Sequence, residues 1–334
     1  MAPKVGIPRS VDYYKYFPLW KTFFTELGAK VVLSPPTNRR VLDAGVKHAS
    51  SEVCLPVKVY LGHIDALRHE VDYLFVPRLV TLEKDAYTCP KYIGLPDLVR
   101  HAYLDLPPLI APLVDVKNRP VTAVTSVLNA GVKLEGNPLR IWRAHKRGIL
   151  VQQAFEAALE RGVDLNLALQ TAESLGPAEF LAQVKRLPAS ALEAGLKVAV
   201  LGHEYNLYDD LVSQRLVAKL KSMGATVVTG KSVSRAQIKA SLSRLGKTLF
   251  WTFERELLGA AFHFLDDPTI AGVINVASFE CGPDSMIDQL LEYERSEQVC
   301  APMLKLTLDE HTGEAALDTR LEAFVDMLKR ARTG

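Results

Sequence analysis

Cysteine is scarce in this sequence: four residues in 334. So few thiols exclude a small disulfide-stapled scaffold. No two of them form a C-x-x-C pair, so the spacing of a paired zinc or redox motif is also missing. No hydrophobic run approaches the ~18 residues of a membrane-spanning helix. The opening stretch MAPKVGIPRS enters a strand almost at once and lacks the apolar core of a signal peptide. There is no excess of one charge either. The 40 Lys and Arg against 38 Asp and Glu leave +2, which provides no electrostatic footprint for nucleic acid or a membrane surface. The expected setting is the reducing cytoplasm, with the cysteines as thiols, metal ligands or nucleophiles. What is present is an ordinary globular composition, 48% hydrophobic and 23% charged. At roughly 100–200 residues per domain, that length predicts two domains.

The first part alternates strand and helix. Lys4 to Pro8 is a short apolar strand. Leu19, Trp20, Phe23, Phe24 and Leu27 recur at helical spacing, with Gly28 as the stop. Ala29 to Leu33, Asp72 to Val76 and Pro108 to Leu113 read as further strands, and residues 39 to 49 as a helix. This is the pattern of parallel βαβ units. From Leu139 to about Leu192 the pattern is helical only. Ile141, Ala144, Gly148, Val151, Phe155 and Leu159 carry one period, Leu165, Leu169 and Ala172 another, and Pro177 and Pro188 punctuate two more short helices.

The chain then begins again. KVGIPRSVDYYKY and KVAVLGHEYNLYDD align Lys4-Val5 with Lys197-Val198, and Gly28-Ala29 aligns with Gly224-Ala225. Each first strand is followed by a tyrosine-rich loop, Tyr13, Tyr14 and Tyr16 in one and Tyr205 and Tyr208 in the other. DYLFVPRLVTLEKDAYTCP and AGVINVASFECGP both run from strand through loop to cysteine. The expected architecture is α/β: two similar lobes with parallel sheets flanked by helices, joined by a helical middle segment. The domains are read as 1–135, 136–195 and 196–334.

Cys54, Cys89 and Cys281 each have Pro within two residues, in loops. Such loops fix a thiolate, and bacterial ferredoxin ligand runs also end in Cys-Pro. Cys300 precedes the strand PMLKLTL and reads as edge or core material. From the residues alone two readings stand. One is thiols buried as small hydrophobes. The other is metal ligation, for which three dispersed cysteines suit a cubane with one open iron better than a four-ligand zinc.

Several strings carry a resemblance: IPRSVDYYKYFPLWKTFF, VVLSPPTN, SSEVCLPVKVYLGH, CPKYIGLPD, GHEYNLYD, FECGPDS and LDEHTGEAALDTRLEAFVDML. Together they resemble the acyl-CoA dehydratase activase-related family, kin to the iron–sulfur subunits of 2-hydroxyacyl-CoA dehydratases. The resemblance implies two α/β lobes with a [4Fe-4S] cluster in the cleft between them, held by Cys54, Cys89 and Cys281, with one iron open. In some relatives the cluster is part of a larger double-cubane assembly. It also implies a separate ATP-hydrolysing activase that delivers low-potential electrons, since no Gly-rich phosphate loop is present here. A small-molecule or acyl-CoA substrate and a homodimer are further implications. The alternative is a cluster carrier or binding module without turnover.

Other polar residues stand near these motifs. Lys58, four residues after Cys54, is a candidate catalytic residue that supports a thiolate-rich cluster or donates to a bound substrate; the alternative is a solvated helix face. His63 reads as a core histidine. Glu310 and His311, leaving the last strand, are candidate proton donors, His because it titrates near neutrality. Asp284 and Ser285 are read as caps of the next helix, and Thr319 to Glu322 as a capping box.

Overall fold

The computed structural model describes residues 1–117, 122–189, 195–296 and 301–333. Cys300 lies outside them. The chain divides into two compact units. The first comprises Met1–Ser51, Pro56–Ala189 and Phe250–Thr252; the second comprises Glu52–Leu55, Ser190–Leu249 and Phe253–Gly334.

The first unit opens with β1 (Lys4–Ile7), α1 (Tyr13–Glu26), β2 (Lys30–Leu33), α2 (Arg39–His48), α3 (Leu55–Leu67) and β3 (Tyr73–Phe75). It continues with β4 (Arg78–Thr81), α4 (Pro90–Ala102), β5 (Leu109–Ile110), β6 (Leu113–Asp115) and α5 (Thr122–Gly131). The helical stretch is α6 (Pro138–Glu160), α7 (Leu165–Ser174) and α8 (Pro177–Gln183). The main sheet is parallel, in the order β2-β1-β3-β5, and β4 pairs in parallel with β6. The single strand expected over Pro108–Leu113 is therefore two. Pro112 stands between them and has no N–H for the ladder.

Helical spacing sets what α1 buries. Trp20 and Phe24 meet Phe75 of β3, with ring centroids 4.6 and 5.2 Å apart. The tyrosines expected in a loop instead form the first turn of α1, and Tyr13 and Tyr14 are buried there. Tyr13 and Arg9 both bond the carboxylate of Glu173 on α7. The apolar stripe of α6, from Ile141 through Phe155 to Leu159, is buried as its period requires, and α6 and α7 pack on α1. The second of the two short helices expected near Pro188 is a single 3₁₀ turn, Val184–Arg186.

Asp12, just ahead of α1, is buried, and burial pushes its carboxyl from 3.8 up to about 7. The native state then keeps a proton that the unfolded chain has lost. Its contribution to stability is full below the unfolded value and is lost as the pH rises to about 7. Replacing Asp12 by Asn is expected to remove a downward slope of at most about 1.4 kcal/mol per pH unit. Urea unfolding of wild type and variant, compared between pH ~4.5 and ~7.5, measures it.

The second unit contains β7 (Leu196–Gly202), α9 (Glu204–Leu207), α10 (Leu216–Ser222), β8 (Ala225–Thr229), α11 (Arg235–Leu242) and α12 (Thr252–Leu265). It ends with β9 (Gly272–Ser278), α13 (Gly282–Ser296), β10 (Met303–Leu308) and α14 (Glu314–Thr333). Its sheet is parallel throughout, in the order β10-β9-β7-β8. Every residue of β9 is buried, as expected of a central parallel strand covered on both faces.

The two main sheets share one topology. In each, the first strand lies between the second and third, and the fourth lies beyond the third. The aligned glycines occupy equivalent places too. Gly28 after α1 and Gly224 after α10 take φ of +80° and +84°, a left-handed stop that a Cβ would disfavour. The capping box expected at Thr319 is not a helix start. The helix begins at Glu314, and Thr319 sits inside it, donating to the Ala315 carbonyl.

Candidate metal site at the switch point of the second unit

In an open parallel sheet, ligands gather beyond the carboxyl ends of the two strands whose connections leave in opposite directions. In the second unit those strands are β7 and β9. The chain leaves β7 through His203 and α9, and leaves β9 through Phe279-Glu280-Cys281 into α13. Two side-chain bonds tie these exits together. Ser278 Oγ donates to Asn206 Oδ1 at 2.7 Å, and His203 Nε2 lies 2.9 Å from Asp284 Oδ1. Glu280 turns the chain with a φ of +64°, and the Cys281 amide bonds the Ser278 carbonyl.

One ligand atom from each of His203, Cys281 and Asp284 lies within 4.8 Å of the other two. His203 and Asp284 are buried and Cys281 is half-buried. The His203 ring stacks on Tyr205, centroids 5.1 Å apart. Burial works against its imidazolium, but Asp284, by charge and hydrogen bond, and then Glu254 and Glu204 push it up to about 9. Burial pushes the Cys281 thiol well above its usual range. The charge of Asp284 adds to this, the Asp284 backbone amide opposes it, and Cys54 raises it further.

Cys54 therefore stands within electrostatic reach of Cys281 in this unit. Asp284 Oδ2 is buried without a hydrogen-bond partner. An imidazole, a thiol and an acceptor oxygen lacking a donor converge here, with the Cys54 thiol in electrostatic reach, and a bound cation would satisfy that oxygen. This donor set fits iron, and thiolates are the usual ligands of an iron–sulfur cluster. Ligands within 4.8 Å suit a single ion. Thiolates on separate irons of a cubane stand further apart, so that convergence is not required of them.

Each of the three expected cysteine ligands begins a helix. Cys54 directly precedes α3, Cys281 directly precedes α13, and Cys89 is the N-cap residue of α4, with Pro90 next. The positive end of a helix favours thiolate over thiol. Cys89 belongs to the first unit. Its loop is held there by backbone bonds between Tyr87 and the segment Phe250–Thr252, by Thr88 to Val80, and by ring stacking of Tyr87 on Phe250 at 4.9 Å.

The other expected residues fall as follows. Lys58 lies in α3 and is buried, so the solvated-face alternative is set aside. His63 is a core histidine. It is fully buried, 3.0 Å from Thr37 Oγ1, and burial followed by Arg9 holds its imidazolium down at about 3. Glu310 and His311 occupy the turn after β10, on the same sheet edge as Cys281. The turn is fixed by Asp309, which accepts from the His311 amide and the Thr312 hydroxyl. Asp284 is no helix cap; its carboxylate holds His203. The sequence marks His203 only by its place directly after a strand, in GHEYNLYD.

Fold and site together define a two-unit parallel α/β protein with a metal-capable His-Cys-Asp group at a strand switch point. Residues 4–233 match the model of the CoA enzyme activase uncharacterised domain (DUF2229), more than half of the chain, and the protein belongs to that family. The acyl-CoA dehydratase activase-related resemblance is thereby borne out. The matched span holds Cys54, Cys89 and His203, and Cys281 lies beyond it. No curated protein matches the chain. Among solved structures, one described as a phosphosugar isomerase from Silicibacter pomeroyi DSS-3 is 13% identical, with 99% of this chain and 87% of that chain covered, at a TM-score of 0.21. At that score the likeness carries no argument. No helix among the described residues is long and apolar enough to cross a membrane.

Proposed function

We propose that this is an iron–sulfur protein of the 2-hydroxyacyl-CoA dehydratase type. In this reading Cys54, Cys89 and Cys281 hold a [4Fe-4S] cluster through their sulfurs. A separate ATP-hydrolysing activase, working in the cytoplasm, supplies low-potential electrons for reduction or dehydration of a small-molecule or acyl-CoA substrate. The observation that carries it is the convergence of Cys281 with His203 and the unpartnered Asp284 oxygen at the switch point, with Cys54 within electrostatic reach of Cys281.

When bound, the cluster supplies one-electron chemistry and an iron not held by cysteine at which substrate sits. The chain's own residues do the rest. The starts of α3, α4 and α13 turn their amides toward thiolates. Val53 and Leu55, the buried chain neighbours of the buried Cys54, limit the access of water to it, which lowers the local dielectric and tunes the potential. Lys58, one turn beyond Cys54, offsets negative charge. Glu310 and His311, on the Cys281 edge of the sheet, are the proton donors.

Iron and acid-labile sulfide, assayed on anaerobically purified protein, test the proposal. About four of each per chain are expected, with spectra bleached by dithionite. A folded, iron-free protein overturns it.

A further inference from the structure

We propose that His203, Cys281 and Asp284 bind a single divalent transition-metal ion whenever the chain carries no cluster. The inference shares only Cys281 with the iron–sulfur reading, and it stands whether or not that reading holds. Because Cys281 serves both, the two occupancies exclude each other.

The geometry points to a small ion with mixed ligands. Imidazole nitrogen, thiolate sulfur and carboxylate oxygen bind zinc at about 2.0–2.3 Å, so tetrahedral ligand atoms stand roughly 3.3–3.8 Å apart. The three atoms already converge within 4.8 Å, so small side-chain rotations complete the set. The ion takes the place of the hydrogen bond that now joins His203 to Asp284. It also gives a partner to Asp284 Oδ2, which is buried and lacks one on a residue only 2% exposed.

The supports are those of a prepared site. Ser278 and Asn206 fix the two loops against each other, and the Tyr205 ring fixes the imidazole plane. Three protein ligands leave the fourth position open, the arrangement of zinc sites that bind water or a substrate atom. A soft sulfur with one nitrogen selects zinc, cobalt or iron over magnesium and calcium.

The test is cobalt(II) titration of the full-length, chelator-treated protein without oxygen, read by absorbance. A thiolate-to-cobalt charge-transfer band and tetrahedral visible bands are expected to saturate at about one ion per chain. Zinc added to the same wild-type sample is expected to bleach both bands, which needs no variant. Cys281→Ser should abolish the charge-transfer band. His203→Gln and Asp284→Asn should each weaken binding at least about tenfold. Cys300→Ala should leave the titration unchanged, with far-UV circular dichroism confirming that each variant is folded. A charge-transfer band that survives Cys281→Ser, or octahedral cobalt spectra without one, overturns the inference. Anaerobic wild-type protein without iron that still binds cobalt in this way sinks only the iron–sulfur reading. Iron at four per chain with no cobalt site in the stripped protein sinks only this one.

Discussion

Anaerobically purified Cys54→Ser and Cys281→Ser are each expected to lose most of their iron and acid-labile sulfide while keeping wild-type secondary structure. A hydroxyl is a far poorer iron ligand than a thiolate at neutral pH, and each cysteine in the proposed set holds a different iron, so none substitutes for another. Cys89→Ser is expected to behave the same way. Cys300→Ala is expected to retain full iron, as is His203→Gln, whose ring is not among the proposed cluster ligands. Iron and sulfide assays on the same preparations decide the matter. Equal loss from Cys300→Ala would show that the ligand set is wrong. Full retention by Cys281→Ser would remove the switch-point site from the cluster altogether. Overpacking does not confuse the outcome, because serine is slightly smaller than cysteine and Cys281 is half-buried.

Gly62→Ala is expected to be among the most damaging single substitutions in the first unit, costing about 3 kcal/mol or more. The helices α2 and α3 meet backbone to backbone. A Cβ on Gly62 would stand 1.8 Å from the Val41 carbonyl oxygen, and one on Gly45 would stand 1.8 Å from the Lys58 carbonyl oxygen. Neither obstacle is a side chain that can rotate away, so the helices must separate. Fully buried neighbours on α3, Tyr60 and Ile64 among them, would then lose contacts. Gly94→Ala is the matched control. It lies within α4 with nothing within 4 Å of the added carbon, and it is expected to stabilise by roughly 0.5–1 kcal/mol through helix propensity. Urea titrations of the three proteins, followed by circular dichroism, give the two signs directly. A Gly62→Ala midpoint within error of wild type would refute the close-packing argument.

Local periodicity carried most of the fold. The buried stripe of α6 and the aromatic face of α1 were legible because burial repeats every three or four residues. The echo between Lys4-Val5 and Lys197-Val198 was legible because both segments open equivalent sheets. Failures came where a signal is ambiguous at short range. Thr319 and Glu322 match a capping box, yet Glu314, Ala315 and Ala316 already extend the helix backward, and the hydroxyl bonds Ala315 instead of starting a turn. Pro112 split one expected strand into two. The switch-point site was the least legible. His203 and Asp284 are 81 residues apart, and only the order of strands brings them together. A succession of strands and helices does not state that order. The cysteines stood out through their rarity and their prolines, whereas a single histidine after a strand has nothing in sequence to mark it.

The path of the chain has a consequence for anyone who would cut it in two. The short stretch Glu52–Leu55 is counted with the second unit, although the residues on either side belong to the first, and Phe250–Thr252 is lent in the opposite direction. A gene split near residue 190 would therefore yield a front half without the strip that braces Tyr87 and a back half without Cys54. Neither fragment carries its complete set of parts, so the two are expected to regain a native assembly only when made together.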